Sequence, residues 1–276
     1  MKKKWFEGAT VVLTGASSGI GLELARLLVG KYGCTVFGIA RRAAVLEKIW
    51  EELGERFIPC PFDVTVRGEW EKFFSGLDRD GILPDILINN AGILPRFMSY
   101  SAGDGAEELR RVMELNFLAQ TVSCELFLSR ISDSEGRGIV NVASSAALAF
   151  LPGTAAYSAS KAASLAFTQC LSVENRKKVY VASVCPGYTR TPLFDAQKGW
   201  TSADDGKKRS FIKKMAMAPD KMAKKILRSV ERKRRKIVHG IDAHGMSVLY
   251  RIFGTPALDL FDTIMRSSGD EMFDGI

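Results

Sequence analysis

Tyr157 and Lys161 stand four residues apart in Tyr157-Ser158-Ala159-Ser160-Lys161, and Ser144 precedes them in Asn141-Val142-Ala143-Ser144-Ser145. On a helix a spacing of four puts both side chains on one face. An ammonium beside a phenol favours the phenolate, lowering a pKa that starts near ~10. The pair is therefore a tunable proton donor. Bringing it to about 7 takes roughly 4 kcal/mol, at about 1.36 kcal/mol per unit, so a second positive charge is expected to help Lys161.

A source for that charge lies near the N-terminus. Ala9 to Leu13 reads as a short buried strand and Leu22 to Leu28 as an amphipathic helix, with Thr14-Gly15-Ala16-Ser17-Ser18-Gly19-Ile20-Gly21 between them. A strand, a glycine turn and a helix N-terminus make an anion site, because unpaired N–H groups and the positive dipole end face the turn. Gly15 permits the tight turn, Gly19 lets backbone approach a pyrophosphate, and Gly21 lets the helix pack closely. A dinucleotide held there could bring an oxidised nicotinamide ring to the phenol.

The spacing Gly-xxx-Gly-x-Gly differs from the usual G-x-G-x-x-G, and with it the chain resembles the short-chain dehydrogenase/reductase family in its NADP-preferring form. The resemblance spans residues 7 to 240: the glycine turn, Asp63-Val64, Asn89-Asn90-Ala91-Gly92, Asn116, Ser144, Tyr157-x-x-x-Lys161 and Pro186-Gly187 come in the family's order. It implies that Tyr157 protonates a carbonyl oxygen, or accepts the proton in reverse. It also implies that Lys161 holds the nicotinamide ribose, that Ser144 binds the substrate oxygen and that Asn116 anchors a relay water. Asp63 and Val64 would meet the adenine, Asn90, Ala91 and Gly92 the adenosine ribose, and Pro186, Gly187, Thr189 and Thr191 the nicotinamide end. A homo-oligomer, dimer or tetramer, is implied as well.

The choice between cofactors turns on Phe37-Gly38-Ile39-Ala40-Arg41-Arg42. Family members that prefer NAD usually carry an acid at the position of Ala40, where it binds the ribose 2′-hydroxyl. Arg41 instead offers a guanidinium suited to a 2′-phosphate, with Ser17 or Arg42 as a further contact. NADP(H) is thus expected over NAD(H).

The elements that must position these residues follow from alternating apolar and amphipathic segments. Val36 to Ile39, Phe57 to Ile58, Ile86 to Ile88, Ile139 to Val142, Val179 to Val184 and Ile237 to Val238 read as further strands with helical patterns between them. The expectation is one doubly wound α/β domain of Rossmann type, with a parallel sheet of about seven strands and helices on both faces. Gly15, Arg41, Asp63, Asn90, Ser144 and Pro186 would each follow the C-terminal end of a strand, where such sheets bind ligands. Residues 1–240 would form this domain, 188–218 a flap over the substrate, and 241–276 a helical extension packed on it.

Composition narrows the function classes. With 46% apolar residues and no apolar run of about 18, the chain reads as globular and cytoplasmic, without a spanning helix. Cys34, Cys60, Cys124, Cys170 and Cys185 are scattered and read as buried, reduced thiols. His239 and His244, outside any metal-ligand spacing, read as surface or loop residues, so no metal site is expected. Gly15-Ala16-Ser17-Ser18-Gly19 also matches the G-x-S-x-G hydrolase elbow, but it follows the first strand, with no earlier strands to supply an oxyanion loop. The net charge of +8 comes largely from Lys2 to Lys4 and Lys207 to Lys236. In Lys221 to Arg235 the stripe Met222, Ile226, Val230 is expected to pack on the sheet rather than on an anionic membrane. No nucleic-acid module is visible.

The expected activity is NADPH-dependent reduction of a ketone or aldehyde, or the reverse alcohol oxidation, by hydride transfer. Phe97, Met98, Phe150, Leu151, Phe194, Trp200 and Phe211 flank the expected pocket mouth and point to a hydrophobic substrate such as a steroid, a bile acid or a lipid-chain ketone. The alternative is a regulator or scaffold that binds NADPH without turnover. Against it stands the full set Asn116, Ser144, Tyr157, Lys161, since binding alone asks for no proton relay.

Overall fold

The computed structural model describes residues 5–102, 105–131, 136–195, 197 and 215–276. Seven parallel strands form one sheet: β1 (Thr10–Thr14), β2 (Thr35–Ala40), β3 (Phe57–Pro61), β4 (Ile86–Asn89), β5 (Gly138–Val142), β6 (Tyr180–Pro186) and β7 (Lys236–His239). Their order is β3-β2-β1-β4-β5-β6-β7. Val11, Val12 and Leu13 of β1 are buried on both faces, as a strand covered by helices on either side must be. Progression reverses at β1, whose neighbours are β2 and β4, and the crevice at that switch point faces the strands' C-terminal ends.

Helices α1 (Gly19–Tyr32), α2 (Ala43–Leu53), α3 (Arg67–Arg79), α4 (Gly105–Met113), α5 (Ala119–Leu128), α6 (Ala155–Glu174) and α7 (Pro219–Glu231) cover the sheet. One core joins α1, α2 and α7 to it through Leu24, Leu28, Leu46, Met222 and Ile226. A second joins α3, α5 and α6 through Trp70, Phe74, Phe127 and Leu171. The stripe Met222, Ile226, Val230 is buried in the first core while Lys224, Lys225 and Arg228 stay outside, so that apolar face is not free to lie on lipid.

A third core lies at the ligand end. It joins Tyr157, Leu94, Phe97, Tyr188 and Phe194 to α8 (Ile241–Phe253), α9 (Thr255–Ser267) and a 3₁₀ turn (Glu271–Phe273). Within the expected flap, a 3₁₀ turn covers Pro192–Phe194, and residues 196 and 198–214 lie outside the described residues.

Some sequence expectations shift. β3 runs three residues further than its apolar pair, through Pro59-Cys60-Pro61, because it is an edge strand where proline's missing donor costs nothing. α1 begins at Gly19, three residues before the apolar periodicity, since the glycine turn itself supplies its first turn. Cys170 is exposed and Cys60 half-buried, whereas Cys34, Cys124 and Cys185 are buried. Cys170 faces out because it lies opposite the buried stripe of α6. His239 is no loop residue: it ends β7, half-buried, with Nε2 bonded to Ser229 Oγ at 3.0 Å, while His244 sits exposed on α8.

Candidate active site

The glycine turn is held from behind. Thr14 Oγ1 accepts the N–H groups of Asn90 and Ala91 at 2.9 and 3.0 Å, and Asn90 Nδ2 donates to the carbonyls of Thr14 and Gly15 at 3.1 and 3.3 Å. Gly15 adopts φ +67, where a Cβ would also come 2.9 Å from Ala91 Cα. A Cβ on Gly21 would run into the Gly15 carbonyl and the Asn90 amide. The Asn90 side chain is therefore spent on shaping the turn, which leaves its main chain and Gly92 facing the cleft.

That cleft has a volume of about 530 Å³. Gly15, Ser17, Ser18, Gly19 and Ile20 line it at the glycine turn, and Arg41, Arg42, Asp63 and Val64 at the ends of β2 and β3. Asn90, Ala91 and Gly92 line its middle, and Tyr157, Lys161, Pro186 and Thr191 its far end. Arg42 Nη2 donates to Ser17 Oγ at 3.1 Å, and Arg41 Nη1 lies 3.9 Å from Asp63 Oδ2 with its side chain largely in solvent. Two guanidiniums, a hydroxyl and a carboxylate thus share this end of the cleft. Glycines at the turn, guanidiniums at one end and the Lys161 ammonium at the other give a cleft able to take a nicotinamide dinucleotide.

Tyr157 and Lys161 project from one face of α6, both buried. Lys161 Nζ donates to the Val142 carbonyl at 3.0 Å and lies 5.8 Å from the centre of the Tyr157 ring. A Cβ on Gly92 would crowd that ammonium and the Asn116 amide, at 3.3 and 3.1 Å. Burial pushes the Tyr157 hydroxyl above its ordinary pKa, with the Ser144 hydroxyl pulling the other way. Burial also pushes Lys161 down to about 8. The sequence expectation of a phenol acidified by its lysine is corrected: burial dominates at Tyr157, the Ser144 hydroxyl is what draws it down, and the Lys161 ammonium bonds the Val142 carbonyl.

Ser144 caps the 3₁₀ turn Ser145–Ala147, its Oγ accepting Ala146 N–H at 3.1 Å. Asn116 sits in a π turn (Glu114–Leu118) between α4 and α5, a distortion common at functional sites. Its side chain is held at both ends: Oδ1 accepts Ile93 N–H at 2.8 Å, and Nδ2 donates to Ile93 O at 2.9 Å and Ser160 Oγ at 3.1 Å.

Beside the cleft lies an apolar pocket of about 70 Å³, and Tyr157 lines both. Of the aromatic and aliphatic residues expected at its mouth, Phe97, Leu151 and Phe194 line it, whereas Met98 lines a small neighbouring recess. Phe150 instead stacks edge-on against Tyr250 of α8 at 5.3 Å, and Trp200 and Phe211 lie outside the described residues. Gly187 and Thr189 line this pocket rather than the cleft.

Three contributors escaped the sequence reading. Gln197 is buried, its Oε1 accepting Phe97 N–H and its Nε2 donating to Pro95 O, each at 2.7 Å, which ties two pocket loops together. Tyr188 lines the pocket, and Asp242 accepts its N–H. Only Tyr188, adjacent to Pro186-Gly187, stood near a recognisable signal.

A family model described as short chain dehydrogenase matches residues 9–202. The chain is 31% identical over 194 residues to the 3-beta-hydroxysteroid dehydrogenase of Comamonas testosteroni, covering 69% of this chain and 74% of that protein. It is 32% identical over 244 residues to EphD of Mycobacterium tuberculosis, covering 83% of this chain but only 40% of that longer protein. Among solved structures, a short chain dehydrogenase from Burkholderia cenocepacia in complex with NADP superposes with a TM-score of 0.74 at 24% identity, covering 93% of this chain and 98% of that one. A 3-ketoacyl-(acyl-carrier-protein) reductase from Brucella melitensis complexed with NADH also gives 0.74 at 24% identity, covering 88% of this chain and 99% of that one. Among the described residues, no helix is long and apolar enough to cross a membrane.

Proposed function

The chain belongs to the short-chain dehydrogenase/reductase family, and from that premise we propose an NADP(H)-dependent oxidoreductase that interconverts a hydrophobic ketone and its secondary alcohol. The observation that carries this reading is Tyr157, which lines both the cleft and the apolar pocket, with the Ser144 hydroxyl beside its own. A carbonyl seated in the pocket would lie against two hydroxyl donors and one wall of the cleft.

When bound, the nicotinamide supplies the hydride and, oxidised, a positive ring. The chain's residues do the rest. In reduction, Ser144 and Tyr157 donate to the carbonyl oxygen as charge builds there, and Tyr157 gives up its proton. Such donors act best in a dry site, where they need no reorganisation. The third core walls the pocket with apolar side chains, which favours a dry site once a substrate fills it. Lys161, buried next to Gly92, would orient the ribose. Arg41, Arg42 and Ser17 would take the 2′-phosphate, which supports NADP(H) over NAD(H). The steroid-active relative and the aromatic lining of Phe97, Tyr188 and Phe194 support a bulky apolar substrate.

The test follows NADPH and NADH absorbance with a 3-ketosteroid and an aryl ketone. Turnover with NADPH should fall by at least ~100-fold in Tyr157→Phe, the scale of a lost general acid, while NADPH binding persists. NADPH binding by the wild type without turnover of either ketone would favour a regulator over an enzyme.

A further inference from the structure

Asp242 opens α8, beyond the residues matched by the family model, and is only 7% exposed. Its Oδ2 accepts Tyr188 N–H at 2.7 Å, and the backbone N–H groups of Asp242 and Ala243 also turn toward it. Two glycines form its cradle: a Cβ on either Gly187 or Gly240 would run into the carboxylate. Gly187 N–H donates to His239 O at 2.7 Å, and Met217 N–H to Tyr188 O at 2.8 Å. The turn Pro186-Gly187-Tyr188 is thus clamped from three sides, with Asp242 supplying a side chain to the clamp.

This turn separates the two ligand spaces. Pro186 lines both of them, while Gly187 and Tyr188 line the pocket beside Ser144 and Tyr157. The Tyr188 ring leans on Phe194, with centroids 5.7 Å apart. A carboxylate is costly to bury unless donors surround it. The donors here come from the helix N-terminus and from the turn itself, so the charge loses one of its donors wherever the turn moves away.

We propose that Asp242 is a positioning residue for the reaction, holding the 186–188 turn and the Tyr188 ring at the separation from Tyr157 at which nicotinamide and carbonyl meet. The proposal rests on the oxidoreductase reading above. It places a determinant of the chemistry in the C-terminal helices, where the family's motifs do not reach.

The experiment compares wild type, Asp242→Ala and Asp242→Asn as full chains. Hydrogen exchange is followed with and without NADPH, alongside thermal unfolding and reduction of a 3-ketosteroid and an aryl ketone. In wild type, NADPH should slow exchange at 186–191 and at the 15–21 turn. In Asp242→Ala the slowing should vanish at 186–191 and persist at 15–21, with kcat down about tenfold or more, the scale of a buried hydrogen bond to an ionised group. KM for NADPH should change by less than about threefold, since ground-state binding rests mainly on the other half of the cleft. Asp242→Asn, whose amide oxygen can still accept Tyr188 N–H, should recover most of both effects. A lowered melting temperature in Asp242→Ala with unchanged kcat and intact slowing at 186–191 would overturn the proposal. If wild type reduces neither ketone, the substrate reading fails, and the exchange data alone decide the role of Asp242.

Discussion

At the scale of single residues, the site stores its cost in Lys161. An ammonium held among apolar neighbours with a depressed pKa of about 8 is a stability debt with a defined pH window. Below about 8 both folded and unfolded chains carry the charge, and the folded state bears the full penalty. As pH rises from about 8 toward the ordinary lysine value of 10.5, the folded protein sheds the proton first and the penalty disappears. Lys161→Met should therefore stabilise the ligand-free protein at pH 7 by roughly 2 kcal/mol, at about 1.36 kcal/mol per unit less the lost bond to Val142 O. That gain should shrink toward pH 10 in urea titrations, while turnover is abolished. The opposite slope would mean that the ammonium is well solvated. Arg41 and Arg42 carry a separate prediction. Because Arg42 already bonds Ser17 and Arg41 reaches into solvent, both can swing to a phosphate. Arg41→Ala and Arg42→Ala should each weaken NADPH about tenfold or more, as loss of a charge-assisted contact does, and leave NADH within about twofold. Equal losses for the two nucleotides in calorimetry would place the guanidiniums elsewhere.

At the scale of elements, local backbone geometry decides what could be read in advance. The glycine turn and the Tyr157–Lys161 pair were legible because their roles follow from neighbouring residues: a positive φ at Gly15, and one helical turn in α6. Asp242 and Gln197 were not, because their contacts join residues 54 and 100 positions apart. Nor was the direction of the Tyr157 shift, since burial is a property of three packed layers rather than of a motif. The end of α7 shows the same limit. Lys233 takes the left-handed position after the helix at φ 55, with its N–H on Val230 O and the next N–H on Ser229 O, a place glycine usually holds. Its ammonium lies 3.2 Å from the Trp5 ring centre and 4.7 Å from that of Tyr180. The strain of about 1 kcal/mol is offset by a cation–π contact of about 1 kcal/mol. Lys233→Gly removes both and should be nearly neutral, whereas Lys233→Ala keeps the strain and should cost about 1 kcal/mol more in denaturant unfolding.

At the scale of the whole molecule, the parallel sheet of seven strands follows from alternating strand and helix patterns, but its order and the use made of α8 and α9 do not. Their apolar residues divide into two sets that sequence cannot separate. Ile241, Val248, Ile252, Phe253, Leu260 and Ile264 face outward, while Ala257, Phe261 and Met265 enter the third core together with Met272 and Phe273. That core also contains Tyr157, so the extension and the Tyr157 end of α6 pack as one body. Phe273 meets Phe97 edge-on at 5.4 Å, and Phe97 is in turn fixed by Gln197 and lines the pocket. Ser99 N–H donates to Gly275 O at 2.8 Å, pinning the same loop to the final residues. Phe273→Ala should thus act twice. It should lower stability by about 3 kcal/mol, as truncation of a buried aromatic does, and it should free Phe97 to retract and widen the pocket. Ile252→Ser, at a side chain facing solvent, should change stability by less than about 0.5 kcal/mol and leave the pocket alone. The check is kcat/KM for a 3-ketosteroid against a small aryl ketone. A ratio that shifts in Phe273→Ala but not in Ile252→Ser would place substrate selection partly in the extension. An unchanged ratio beside a lowered melting temperature would reduce the extension to a structural buttress.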